Sequence, residues 1–370
     1  NFPRYDLDMG VLRAYENGKP AEVRDFFPFS RNGAEAGELT VVIGHPGGTE
    51  RQLTVAQLET MRDIDLVWQL ATYSEQRGVL EQFTTESDEH ARIGEEDLWS
   101  IENYIKEVRG WGETLRDPKI LDLKRRQEAE LRAYVDADPA RKAKYGVVWD
   151  EIAAAQATYR NIATRHRYLE GEGRPDSKYF TFARQLVRGG AERAKPNNER
   201  LREYTDARLP AVTQRLFSTA PVYPEFEKVT LALSLEKLRE WLGADDPYVR
   251  DVLDKESPRA LAARLVDGTR LGDAEVRKTL WNDGAALAKS DDPFIALARR
   301  VDSPARAIRK RKEDEVDAVV DRNSELIAAA RFEKYGTSVY PDCTFTLRLS
   351  FGEVKGWDEK GVAVAPFTEI

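Results

Sequence analysis

The chain has 370 residues, a formal net charge of -8, a hydrophobic fraction of 41% and a charged fraction of 33%. That is length enough for two or three domains, with the polarity of a globular, helix-rich protein rather than a disordered one. The acidic balance argues against nucleic acid as a partner, no apolar run approaches a membrane span, and a single cysteine excludes an internal disulfide and any multi-cysteine zinc site.

Met9 to Tyr15 alternates and predicts a strand, followed by a turn over Glu16-Asn17-Gly18-Lys19-Pro20. Glu38 to Gly44 is rich in β-branched residues and predicts a buried strand, broken by His45-Pro46-Gly47-Gly48. At Thr54 the character changes. Thr54 and Gln57 have the spacing of a capping box, and helix signals recur from there for nearly three hundred residues. Ile101, Ile105, Val108, Trp111 and Leu115 form one apolar stripe, ending before Asp117-Pro118. Gly171 to Pro175 and Lys195 to Asn198 read as loops. Ser257-Pro258, Asp292-Pro293 and Ser303-Pro304 each place an N-cap residue before a first-turn proline. The last predicts a helix to Tyr335, about 45 Å long, with Gly336 as its C-cap. A second β region is expected near Ser338, with Tyr340 to Ser350 alternating toward a Phe351-Gly352 turn. The simplest topology is one β domain interrupted by a helical insertion, because either β piece alone is too short to bury a core. The absence of evident start and finish signals leads to the expectation that the chain is the middle of a larger protein.

Local chemistry is sparse. Gly44 to Thr49 lacks the Gly-Lys-Ser/Thr ending of a phosphate loop and reads as a tight turn. His45, His90 and His166 are far apart with no metal-ligand spacing, and Arg165-His166-Arg167 reads as a solvated helix face. No serine sits in a nucleophile elbow. Arg309-Lys310-Arg311-Lys312 precedes Glu313-Asp314-Glu315, a self-compensated helix surface. Cys343, within an alternating segment, reads as a buried structural thiol. Asp8, immediately before a strand, stands where a catalytic triad carboxylate would orient a histidine; spacing alone favours a turn-capping role for Asp6 or Asp8. Asn103 lies about 200° around the helix from Ile101, sharing a face with Trp99, Lys106 and Gly110. It could line a cleft or be an ordinary exposed asparagine.

Five segments in order resemble the bacterial dipeptidyl-peptidase 7 and dipeptidyl-peptidase 11 family. They are Phe2 to Asp8, Gly44 to Arg51 with Leu53-Thr54, Glu102 to Lys106 with Gly110, Asp292 to Ala298, and Tyr340 to Ser350 with Gly352. The resemblance implies a serine exopeptidase of the α+β class, a partial chymotrypsin-like double β-barrel interrupted by a large, mostly α-helical cap domain. On that basis residues 1–60 belong to the barrel, 61–335 to the cap and 336–370 to the barrel again. It implies that Asp8 is the triad aspartate, with Asp6 a rival. It also implies that Asn103 binds the free α-amino group of an oligopeptide. The triad histidine is expected before Asn1 and the serine after Ile370, so that this chain alone would be inactive. Periplasmic or cell-surface location and a homodimer are implied by the resemblance only, and neither cofactor nor metal is expected. The rival expectation is a non-catalytic helical peptide-binding protein, a pseudopeptidase.

Overall fold

The structure, a computed structural model, describes residues 9–359 and 361–367. It divides into two units, Asn1–Gln52 with Tyr340–Ile370, and Leu53–Val339.

The first unit is built of short antiparallel ribbons. Strands β1 (Tyr15–Glu16) and β2 (Lys19–Pro20) flank Asn17 and Gly18, both at positive φ (52° and 74°). Two left-handed residues make the turn whose twist matches a hairpin, and Asn-Gly tolerates that conformation best. The turn forms as the sequence predicts, but the strand expected from Met9 shrinks to Tyr15–Glu16, extended only by a bond from Ala21 N–H to the Ala14 carbonyl. Strand β3 (Leu39–Gly44) pairs with β4 (Arg348–Glu353), from Leu39 opposite Glu353 to Gly44 opposite Arg348. A hairpin of β5 (Trp357–Glu359) and β6 (Val362–Val364) follows.

Three expectations for this unit need correction. β3 is a strand but not a buried one: Leu39, Val41, Val42 and Ile43 are 68%, 50%, 68% and 49% exposed. A two-stranded ribbon has two faces, and among the described residues no second layer covers either. Phe351-Gly352 is not a turn, because β4 runs through both residues in register with β3. Cys343 is half-buried rather than buried and lies outside any strand; its backbone N–H donates to Thr49 Oγ1 at 2.9 Å.

The second unit is helical. It begins with α1 (Val55–Thr60), a π turn at Met61–Asp65, α2 (Leu66–Thr85), α3 (Asp88–Arg116), α4 (Pro118–Asp136), α5 (Pro139–Tyr145) and α6 (Val148–Leu169). It continues with α7 (Lys178–Arg193), α8 (Leu209–Leu216), α9 (Pro224–Leu242), α10 (Pro247–Leu253), α11 (Pro258–Gly268), α12 (Ala274–Asn282) and α13 (Gly284–Lys289). It ends with α14 (Pro293–Lys312), a second π turn at Glu313–Asp317, and α15 (Ala318–Tyr335). Caps follow the chemistry of the sequence. Thr54 and Gln57 complete a reciprocal capping box before α1, while Ser257 and Asp292 accept backbone N–H bonds before Pro258 and Pro293. The α3 stripe buries Ile105, Val108 and Leu115, and Asp117 ends α3 and caps α4.

Ser303-Pro304 does not start a helix. Pro304 lies inside α14, which opens at Pro293, eleven residues before it, and leads through the π turn into α15. The proline removes one backbone bond, but Phe294, Ile295, Leu297, Ala298, Val301, Ala305 and Ile308 present one buried face across it. Burial of that face outweighs the lost bond. The resulting spine reaches Tyr335, closes with Gly336 at φ 58°, and is roughly 60 Å long.

The principal core joins α6, α7, α9, α10, α11 and α14 through side chains such as Leu186, Leu231, Leu235, Leu265 and Phe294. Several buried polar groups within it are paired. Trp68 Nε1 donates to Tyr168 Oη at 3.0 Å, and Arg277, 1% exposed, donates to the carbonyls of Leu216, Ser218 and Leu271. Arg277 thereby neutralises the C-terminal carbonyls of α8. Arg165-His166-Arg167 is a further correction. Arg167 is buried and pairs with Asp65, Arg165 pairs with Asp246 at 2.7 Å, and His166 is half-buried.

Candidate functional site

The two residues singled out for chemistry stand differently. Asp8, with its rival Asp6, lies outside the described residues. Asn103 sits mid-way along α3 on its exposed side, with exposed Trp99, Lys106 and Gly110 along the same face. The helix is anchored beneath it: Ile105 and Val108 are buried, and Tyr104 packs on Tyr73 of α2 with ring centroids 5.7 Å apart. α2 and α3 approach closely at Gly94, where a Cβ would meet Thr84 Cγ2 at 3.0 Å and Phe83 Cδ1 at 3.1 Å. Asn103 therefore rides on a rigid helical hairpin. Its side chain makes no hydrogen bond among the described residues, leaving the amide oxygen available to accept and the nitrogen to donate.

On the opposite side of α3, Ile101 and Asp97 line a cleft of about 150 Å³ shared with α2 and α9. Asp176 and Glu227 also line it, and burial pushes the Glu227 carboxyl, 3% exposed, above its ordinary value. Ser177 in this cleft is not a nucleophile. Its Oγ donates to Glu227 Oε2 at 2.6 Å and accepts from Tyr179 N–H at 3.1 Å, the role of an N-cap on α7. No histidine accompanies it. His90 contacts Glu86 at 3.1 Å and stacks on Phe83, His45 lies 6.3 Å from the Phe345 ring, and burial followed by Lys312 pulls His166 down to about 4. Among the described residues no group of His, Cys, Asp and Glu could hold a metal ion.

Within the first unit, Asp342 ties together two of the segments that carried the resemblance. Its Oδ1 accepts from Thr49 Oγ1 at 2.7 Å and Arg51 N–H at 2.9 Å, and its Oδ2 accepts from Gln52 N–H at 3.0 Å. Burial alone would raise this carboxyl; the Thr49 and backbone bonds outweigh it and hold the group below its ordinary value. Gly48 and Thr344 add a β-bridge beside it.

One polar assembly was not anticipated from the sequence. Arg188, 3% exposed, holds Glu170 through two bonds of 2.8 Å and Asp302 through one of 2.5 Å. Arg306 joins Asp302 to Glu192, both at 2.6 Å, and Arg184 also contacts Glu170. The signal was present as spacing. Arg184, Arg188 and Glu192 recur every four residues on α7, and Asp302 and Arg306 do so on α14. That such charges face inward is uncommon, so the spacing reads by default as a solvated surface.

The family description Peptidase S46 matches residues 1–370. The chain belongs to this family. Its relatives include an Asp/Glu-specific dipeptidyl-peptidase of Shewanella putrefaciens, 24% identical over 392 residues, covering 100% of this chain and 52% of that protein. A dipeptidyl-peptidase 7 of Porphyromonas gingivalis is 24% identical over 381 residues, covering 96% of this chain and 51% of its own length. The chain thus spans about half the length of the curated relatives it matches. Among solved structures, Porphyromonas endodontalis DPP11 in complex with the dipeptide Arg-Glu shares the fold, with a TM-score of 0.69 and 20% identity over 96% of this chain and 52% of that one. The mostly helical architecture is that of the S46 fold.

Proposed function

We propose that this chain is part of a serine-type dipeptidyl-peptidase that releases dipeptides from the free N-terminus of oligopeptides. The observation that carries this reading is the match to Peptidase S46 across all 370 residues, in company with relatives named as dipeptidyl-peptidases. In this reading the paired β3 and β4 belong to a chymotrypsin-like barrel and the helices form the cap. Asp8 holds the imidazole of a histidine in its productive tautomer, and that histidine takes the proton of the attacking serine. Both partners are assigned to the part of the relatives' length that this chain does not span. Asn103 accepts an N–H of the substrate's α-ammonium group. A neutral amide does so without placing a second full charge in the cleft, and a fixed ammonium site two residues from the scissile bond makes the product a dipeptide. The enzyme is exported to the periplasm or cell surface and acts as a homodimer.

The test uses the complete protein on matched peptides with free and blocked N-termini. Asp8→Asn is expected to lower kcat by about 10⁴ with KM little changed, through loss of the histidine tautomer. Asn103→Ala is expected to cost about 10- to 100-fold in kcat/KM on free-amine peptides and little on blocked ones. An unchanged rate in Asp8→Asn moves the acid role to Asp6, and equal losses on both peptide classes reject the amine site. Dipeptide release by the purified 370-residue chain would overturn the assignment of serine and histidine elsewhere.

A further inference from the structure

We propose that the open end of the arginine cluster between α6 and α7 is a binding site for a small oxyanion, the phosphate or carboxylate group of a ligand, held by Arg174, Arg184 and Tyr204. These residues line a cavity of about 230 Å³ together with Glu170, Arg188 and Glu203. The site is distinct from Asn103 and independent of the peptidase reading.

The first reason is an uneven sharing of carboxylates. Glu170 serves three guanidiniums: it accepts two bonds of 2.8 Å from Arg188, contacts Arg184, and lies 3.6 Å from Arg309. Arg188 and Arg309 have further carboxylates, Asp302 at 2.5 Å for the first, Glu203 at 2.6 Å and Glu313 at 2.7 Å for the second. Arg184 pairs with no carboxylate other than Glu170 among the described residues. Among the described residues Arg174 forms no ion pair, acts on Asp176 only from a distance, and donates from its guanidinium to the Gly171 carbonyl at 2.9 Å. Burial, with Arg188 as the next cause, pulls Arg184 down to about 10.

The second reason is an unspent donor. Tyr204 is 3% exposed, lines the cavity, and its hydroxyl has no hydrogen-bond partner among the described residues. An oxyanion entering the cavity would accept from it. The two carboxylates of the lining are already engaged by arginines, and the charged groups that face the opening, Arg174 and Arg184, are donors only, suited to an anion and not to a metal ion. Planar guanidiniums match the oxygens of phosphate and carboxylate equally, so the geometry names the group and not its bearer.

Calorimetric titration of the complete protein with sodium phosphate and, separately, with sodium succinate at constant ionic strength tests the proposal. Saturable binding of at least one ion is expected, with an accompanying rise in Tm. Binding of phosphate alone assigns a phosphoryl ligand, and binding of succinate a carboxylate ligand. Arg174→Gln is expected to weaken that binding about tenfold or more, the effect of one charge-assisted bond. Because Arg174 makes no ion pair, this variant keeps its fold, which circular dichroism verifies; Arg174→Lys retains part of the affinity. Absence of saturable binding of either ion, or equal binding by Arg174→Gln, overturns the site.

Discussion

His166 illustrates how a single side chain can change meaning between sequence and structure. Flanked by Arg165 and Arg167, it has the setting of a solvated helix face, yet α6 turns it toward Lys312 and Asp317, and burial leads the forces that pull it to about 4 from 6.5. In the unfolded chain the same imidazole titrates at its ordinary value, so between roughly pH 6.5 and 4 the unfolded state binds the extra proton. The folded state is therefore favoured above that window and loses this contribution as the pH falls through it. Urea unfolding at pH 7, 6, 5 and 4 is expected to show that loss. His166→Gln should reduce the slope by about one proton. A slope unaltered by the substitution would contradict the assignment. Asn103 shows the opposite behaviour. Its place on the polar side of α3 follows directly from helical spacing, because Ile101, Ile105 and Val108 leave only one face to bury.

Between elements, packing turns on how near two backbones approach. Gly189 of α7 lies against Trp281 of α12, where an added Cβ would fall 2.3 Å from Cζ3 and 2.7 Å from Cη2 of the indole. Gly78 of α2 has nothing within 4 Å of the same position. One substitution should thus have opposite effects at the two sites. Gly189→Ala is expected to destabilise by about 1–3 kcal/mol through overpacking. Gly78→Ala is expected to stabilise by about 0.5–1 kcal/mol through helix propensity. Thermal unfolding of both variants decides the matter, and a loss of stability in both would show that α2 is more crowded than its geometry indicates. The i to i+4 pairs at the end of α14 were legible beforehand. Arg309 with Glu313, Lys310 with Asp314 and Arg311 with Glu315 form at 2.7–3.0 Å because the helix alone sets their separation. The interior ladder of Arg184, Arg188 and Glu192 has the same spacing, but its partners come from α14 and from the end of α6, which α7 alone cannot specify.

Over the whole molecule, residues separated by nearly the full chain meet within the first unit, where β3 pairs with β4 and Asp342 binds the segment from Thr49 to Gln52. Asp342→Asn is expected to cost about 2 kcal/mol locally, the effect of weakening charge-assisted bonds in a partly buried site. Amide exchange at Arg51 and Gln52 should quicken accordingly. The carboxyl is held below its ordinary value of 3.8, so its contribution is complete above that pH and disappears as the pH drops through the lower folded value. The variant should lack this acid-dependent step. Identical exchange in both proteins would mean that the Gly48–Thr344 bridge alone holds the segment.

Features contained within one or two helical turns were open to reading from the chain alone. The Thr54 box, the Asp117 stop, the Asn17-Gly18 turn and the surface pairs of α14 need only neighbours a few residues away. The family resemblance was legible for a related reason, since short motifs in a fixed order do not require the fold to be known. Tertiary structure alone decided that Pro304 lies within a helix, that Arg167 and His166 turn inward, and that β3 stays exposed among the described residues. It also decided that three arginines share Glu170. Each of these outcomes weighs a local preference against contacts made by other elements of the fold, or against the want of such contacts. Local preferences amount to about 1 kcal/mol per residue, whereas a continuous buried face is worth several times that, so the tertiary contacts prevail.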